Sequence, residues 1–267
     1  MSVRQSVRAF PALLRIGLLE TVAYRGEMVV WVLTTTMPLI MLALFGAVVR
    51  DAPIGRMGER QMTAYFLATF VVRQLTSSWV SWQINMEVRD GTLSSRLLRP
   101  VHPLIAYAAE GLATTPFRAI VSVPMALVLL FTTARAELAT DGATWALWVV
   151  SIVGAWLLSL FVSLTIGVCA FFLESSTKVM DVWLAAFFVF SGYLVPIEVF
   201  PPALQIAVDW LPFRYQLGLP VEIMTGAHTP AAALALIGRQ WMFVVLAGAV
   251  ALFAWRRGVG RFSAFGG

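Results

Sequence analysis

The residues able to do chemistry are few and scattered. Two histidines, His102 and His228, stand far apart, and the single cysteine is Cys169. Metal sites need ligands at short helical or loop spacing, so no metal ligand set can be drawn, and one cysteine allows no intrachain disulfide. Serines and threonines are plentiful, but none sits in a G-x-S-x-G elbow. A P-loop needs a Gly-Lys pair ahead of Ser or Thr, and the only lysine, Lys178, follows Thr177. The chain therefore cannot hold ATP by that device. No catalytic residue is assigned, and an enzyme reading has no constellation to rest on.

What remains are charges in apolar company. Arg73 and Gln74 stand within the stretch 61–85, Arg73 about twelve residues from either end. Glu110 and Arg118 are eight apart, on one face of a helix. An ionisable group at membrane depth is costly and marks a functional site by default. Arg73 is expected to pair with Glu110 or to face an anionic group of a substrate. The plainer alternative is an ion pair that only fixes helix register. Glu174 and Lys178 have the i,i+4 order of a helix pair, read as a solvated turn.

The stretch EVRDGTLSSRLLRP, Glu87 to Pro100, is polar and charged between two apolar runs. Glu87 and Arg89 open it, Gly91 interrupts it, and Thr92 can cap the short helix beyond. Leu93, Leu97 and Leu98 then form an apolar stripe beside Arg96 and Arg99, and Pro100 and Pro103 stop the helix. Such a short amphipathic helix can dock by its leucines into a groove on a soluble partner. It can equally be an interfacial connector that touches only lipid.

These groups must be positioned by apolar helices. The chain has 267 residues, 60% hydrophobic and 12% charged, against about 25% charged for ordinary globular domains. Such a composition speaks against a soluble fold. The expected fold is all-α, a single polytopic transmembrane domain over 1–267. Six spans are read at 27–49, 61–85, 104–133, 145–173, 182–195 and 238–255, several of them in apolar runs longer than the roughly 20 residues a helix needs to cross a bilayer. Pro38 can kink the first. Residues 1–26 carry Val7, Phe10, Leu14 and Leu18 at helical spacing among arginines, which suits an interfacial helix, or else a basic solvated tail. Arginines spread through the first twenty residues argue against a cleavable signal peptide. The fifth span breaks at Pro196, Pro201 and Pro202, and 197–235 reads as short helices at the membrane surface, forming a re-entrant, extracytoplasmic region.

The net charge of +5 is no nucleic-acid footprint, because basic residues gather at the ends of spans. With the N-terminus inside, twelve basic residues fall on the cytoplasmic side and five on the other, Arg73 and Arg239 left uncounted. The positive-inside rule then places both termini in the cytoplasm, which agrees with an even number of spans.

Glu-x-x-x-Gly-Thr-Leu followed by Leu-Leu-x-Pro, directly after the second span, resembles the signature of ABC exporter permeases of the ABC-2 class. SGYLVPIEVFPPALQIAVDWLPFRY, Ser191 to Tyr215, resembles that class's exit from the fifth span, with Gly192, Pro196, Pro201, Pro202, Pro212 and Tyr215 as its marks. The tail RRGVGRFSAFGG is similar to that of a subfamily. The resemblance implies a coupling helix at Glu87–Pro100, seated in a cleft of a separate ATPase subunit that carries ATP and Mg; this chain would bind no cofactor. It implies a second permease subunit, identical or paralogous, a pathway lined mainly by the second and fifth spans, and a home in lipid, the bacterial cytoplasmic (inner) membrane. Arg73 inside the second span departs from what many members would carry. The competing reading is a six-span secondary carrier or assembly scaffold without an ATPase, but a carrier should show internal repeats, and none is evident.

Overall fold

The computed structural model describes residues 3–23, 26, 35–50, 52–133, 135–173 and 175–262. Among them the chain is all-α, with no strand beyond one isolated bridge between Ile54 and Met57. The helices are α1 Val3–Ala23, α2 Met37–Val49, α3 Glu59–Thr76, α4 Val80–Arg89, α5 Leu93–Leu97, α6 Pro103–Thr133, α7 Gly142–Val168 and α8 Thr177–Phe190, followed by α9 Pro202–Val208, α10 Pro212–Gln216, α11 Gly218–Met224 and α12 Pro230–Val259. Short 3₁₀ turns lie at Arg135–Glu137, Cys169–Phe171 and Ile197–Val199.

Among the described residues two elements, α7 with its 3₁₀ extension to Phe171 and α12, are long and apolar enough to cross a membrane on their own. Both are strongly apolar in composition. One face of each packs on the other, the most extensive contact in the molecule. The other faces are left bare: Val149, Val153, Val245, Val250 and Phe253 are all exposed. The same holds for Ile40 and Leu44 on α2, Ile120 and Val128 on α6, and Val182 on α8. Water penalises such a belt of large apolar side chains, whereas hydrocarbon does not.

Local signals set the helix ends. Asp141 accepts from the Thr144 amide at 2.8 Å and starts α7. Pro38, Pro202, Pro212 and Pro230 each sit in a first turn, where a missing N–H costs nothing. Pro38 thus begins α2 rather than kinking it; residues 27–34 of the expected first span lie outside the described residues, as do Glu174 and 263–267. Pro103 likewise opens α6, which runs unbroken for 31 residues through Pro116 and Pro124.

Three boundaries differ from expectation. The stretch 61–85 is not one helix: Ser77, Ser78 and Trp79 are non-helical between α3 and α4. The helix of the expected fifth span, α8, stops at Phe190, ahead of every proline, because Gly192 takes φ 85°, a conformation open to glycine. A Cβ there would also sit 2.3 Å from the Tyr65 hydroxyl oxygen. Finally, α12 begins at Pro230, eight residues before the expected 238.

The segment 197–235 holds α9, α10, α11 and the start of α12, and part of it packs into the bundle. Residues 213–221 are all buried, with α10 and α11 packed against α7 and α11 also against α3. Gln240 of α12 anchors this insertion, its Nε2 donating to Tyr215 O at 2.8 Å and Ser151 O at 3.0 Å. At the far end of the bundle, α1 lies alongside the first half of α6 and parallel to it. His102 donates its amide to Ser6 Oγ at 2.9 Å, and Gly17 abuts Ala113 and Glu110. The outward residues of α1, Val7, Ile16, Leu19 and Val22, are apolar and exposed beside Arg8 and Arg15.

Candidate functional site

The segment Glu87–Pro100 divides into two parts. Glu87 and Arg89 belong to the last turns of α4, and only Leu93–Leu97 form the separate helix α5. Gly91, at φ 73°, reverses the chain between them. Thr92 does not cap α5 with its side chain. Instead Ser94 Oγ donates to Gly91 O and Ser95 Oγ to Thr92 O, both at 2.7 Å. The leucine stripe splits as well. Leu93 is fully buried with Tyr107, Leu164 and Trp255, and Leu97 packs against the same cluster. Leu98 is 87% exposed, since five residues at 100° each turn it well away from Leu93.

Arg96 organises this end of the molecule. Its Nε and one amino nitrogen donate to the two Glu87 oxygens at 2.9 and 2.7 Å. Its amino groups reach the two Glu110 oxygens at 2.8 and 3.1 Å. Gln83 Nε2 donates to Glu110 at 2.7 Å, the Tyr107 hydroxyl donates to Glu87 at 2.5 Å, and the guanidinium lies 4.3 Å from the Tyr107 ring centre. Burial alone would discourage the Arg96 charge; the bonds and charge of Glu110, with help from Tyr107 and Glu87, outweigh it and raise its pKa above the ordinary arginine value. The result is a clamp joining α4, α5 and α6, with all three charged side chains mostly buried. Arg89, Thr92, Leu98, Arg99 and Pro100 remain outside it, exposed.

The clamp corrects one expectation: Glu110 is the partner of Arg96 and not of Arg73. Arg73 has no carboxylate partner among the described residues. Its guanidinium lies over the Phe187 ring at 4.7 Å and the Tyr193 ring at 5.7 Å, so the second apolar segment meets the fifth through a cation on aromatic faces. Gln74 turns elsewhere and donates to Thr35 Oγ1 at 2.6 Å. Arg118 donates to Ser77 O and Thr114 Oγ1, both at 3.1 Å, covering backbone freed by the break between α3 and α4. Ser163 Oγ donates to Ser78 O at 3.3 Å from the other side. Arg118 and Glu110 do share one face of α6 and line a cavity of about 320 Å³ beside α1.

A larger cavity, about 590 Å³, opens at the opposite end. The residues around the proline break line its rim, Pro196 buried and Pro202 exposed, with Pro201 exposed beside it. Tyr65 crosses from α3 to donate to Gly192 O at 2.7 Å. Tyr215 is fully buried and donates to Asp209 O at 2.9 Å, closing the turn before Pro212. On the wall Arg214 pairs with Asp209 and, at 2.6 Å, with Glu222, whose other neighbour is His228 Nε2 at 2.7 Å. Burial alone would raise the Glu222 carboxyl; the His228 bond and Arg214 outweigh it and hold it below the usual range. Nothing in the linear pattern pointed to this network, because its members are spread over twenty residues of mixed composition. The Arg96 clamp was legible only as a spacing: Glu87 and Arg96 are nine apart across a glycine.

Long apolar helices with bare outward faces, a charged clamp under a short helix at one end and a polar cavity at the other are the build of an integral membrane protein. The family model described as ABC-2 family transporter protein matches residues 58–266, and the chain belongs to that family. A search of curated proteins finds no match.

Proposed function

We propose that the chain is the permease subunit of an ATP-driven exporter in the bacterial cytoplasmic membrane. It crosses the membrane six times with both termini in the cytoplasm, pairs with a second permease, and is driven by a separate ATPase subunit that holds ATP and Mg. The observation that carries this reading is α5. A five-residue helix bounded by Gly91 and Pro100 is held at the end of the bundle by Arg96, while Leu98 and Arg99 point away from the protein. An exposed leucine beside arginines suits a groove on a soluble partner. The clamp supplies the mechanical link: a push on α5 passes through Arg96 to Glu87 of α4 and Glu110 of α6. Closure of the ATPases then shifts the balance between inward-open and outward-open states.

The test is a cysteine cross-link. A Leu98→Cys variant in a Cys169→Ser background, treated with a bifunctional thiol reagent in native membranes, is expected to join an ATPase subunit. Recovery of the intact protein with no ATPase either cross-linked or co-purified would sink the exporter reading and leave a carrier or a scaffold.

A further inference from the structure

The break between α3 and α4 has a second side. There a cavity of about 50 Å³ has Arg73, Ser78, Ser81, Ser163 and Gln216 among its lining residues, the rest of the wall being mostly apolar side chains such as Leu184 and Phe187. It brings together donors that lack acceptors. The Arg73 Nε and the Ser78 hydroxyl are buried and make no hydrogen bond, and the same is true of Gln216 Nε2, on a side chain only 4% exposed. Gln216 comes from α10, the inserted segment, so it arrives at the break by tertiary packing. Arg118 stands on the far side of the break, donating to Ser77 O at 3.1 Å. The α4 helix starts at Val80 and directs the positive end of its dipole at the same place. A half-buried arginine whose Nε is sealed from solvent, a buried amide, a hydroxyl and a helix N-terminus around one small cavity form a receptor for negative charge.

We infer that the break in the second apolar segment binds an acidic group, a carboxylate or phosphate, with Arg73 and Gln216 as its donors. The cavity has room for the head of an anion and none for a large body. The group therefore belongs to an amphiphile whose remainder lies outside, either a membrane lipid or a transported acidic molecule, or it is a free anion. Phe187 of α8 and Tyr193 just beyond it hold Arg73 in place without neutralising it. In the exporter reading this is the acidic end of a substrate, but binding needs no ATPase and stands or falls separately.

The test uses the purified full chain in neutral detergent, with unfolding temperature as readout. The probes are inorganic phosphate, dihexanoylphosphatidate and, as the neutral control, a dihexanoyl glyceride. A saturable rise with phosphatidate but not with phosphate supports the site and assigns it to an amphiphile. A rise with both supports it as a receptor for the group itself. Arg73→Gln is expected to weaken the apparent affinity about tenfold to a hundredfold, the range for a charged hydrogen bond, and Arg73→Lys to restore part of it. Gln216→Leu, which leaves the charge in place, is expected to weaken it roughly fivefold and serves if Arg73→Gln does not fold. No response of the wild type to either anion, or an unchanged response in Arg73→Gln or Gln216→Leu, overturns the inference.

Discussion

Replacing Arg96 with methionine removes the charge and keeps most of the stem volume. In the wild type the guanidinium makes four hydrogen bonds to two carboxylates, from 2.7 to 3.1 Å. The side chains of Arg96, Glu87 and Glu110 are 12%, 17% and 23% exposed. After the substitution Glu87 and Glu110 share only Gln83 and Tyr107 as donors and face each other as like charges. Removing one partner of a buried pair costs about 3–5 kcal/mol, against roughly 0–1 kcal/mol for a pair on the surface. The residual exposure puts the expected loss near the lower end, about 3 kcal/mol. That is roughly 6–12 °C in unfolding midpoint for a chain of this size. The assay is thermal unfolding of the detergent-solubilised protein followed by tryptophan fluorescence. The triple variant Arg96→Met, Glu87→Gln, Glu110→Gln is expected to recover most of the loss, because neutral amides carry no uncompensated charge. A loss below about 1 kcal/mol in Arg96→Met would show that the clamp behaves as a surface pair. Failure of the triple variant to recover would show that its charges are not the cause.

The split leucine stripe makes a paired prediction: Leu93→Ala should cost about 2–5 kcal/mol of stability as a buried deletion, whereas Leu98→Ala should leave stability unchanged and lower ATPase stimulation in the reconstituted complex. Gly192→Ala should destabilise by about 1–3 kcal/mol through its backbone conformation, plus the clash with Tyr65; adding Tyr65→Phe should relieve part of that loss, which a double-variant unfolding cycle measures. Glu222 lies below its ordinary value of 4.5 in the folded chain, so its stabilising charge is fully present above that value and lost as pH falls through the lower, folded pKa. Glu222→Gln should therefore be less stable than the wild type at neutral pH, with the gap closing as pH falls below 4.5; a gap that stays constant with pH would refute this.

Composition alone determined that this chain is a helical membrane protein, since 60% hydrophobic residues in long runs leave no soluble alternative. Order and spacing of short motifs were enough for the family and for α5, because the glycine and prolines that delimit a small helix act locally on the backbone. Local chemistry did not reach further. Ser77–Trp79 carries no proline or glycine to announce a break; the helix stops there because Arg118 and Ser163 from other helices can take the freed carbonyls. Gly192, not the prolines after it, ends α8, and its carbonyl is taken by Tyr65 of another segment. The partners of Arg96 and of Arg73 likewise turned on which helices meet. An arginine in a sequence is one charge with many possible partners, and packing alone decides that Glu110 faces Arg96 while Arg73 is left with aromatic rings and an open donor.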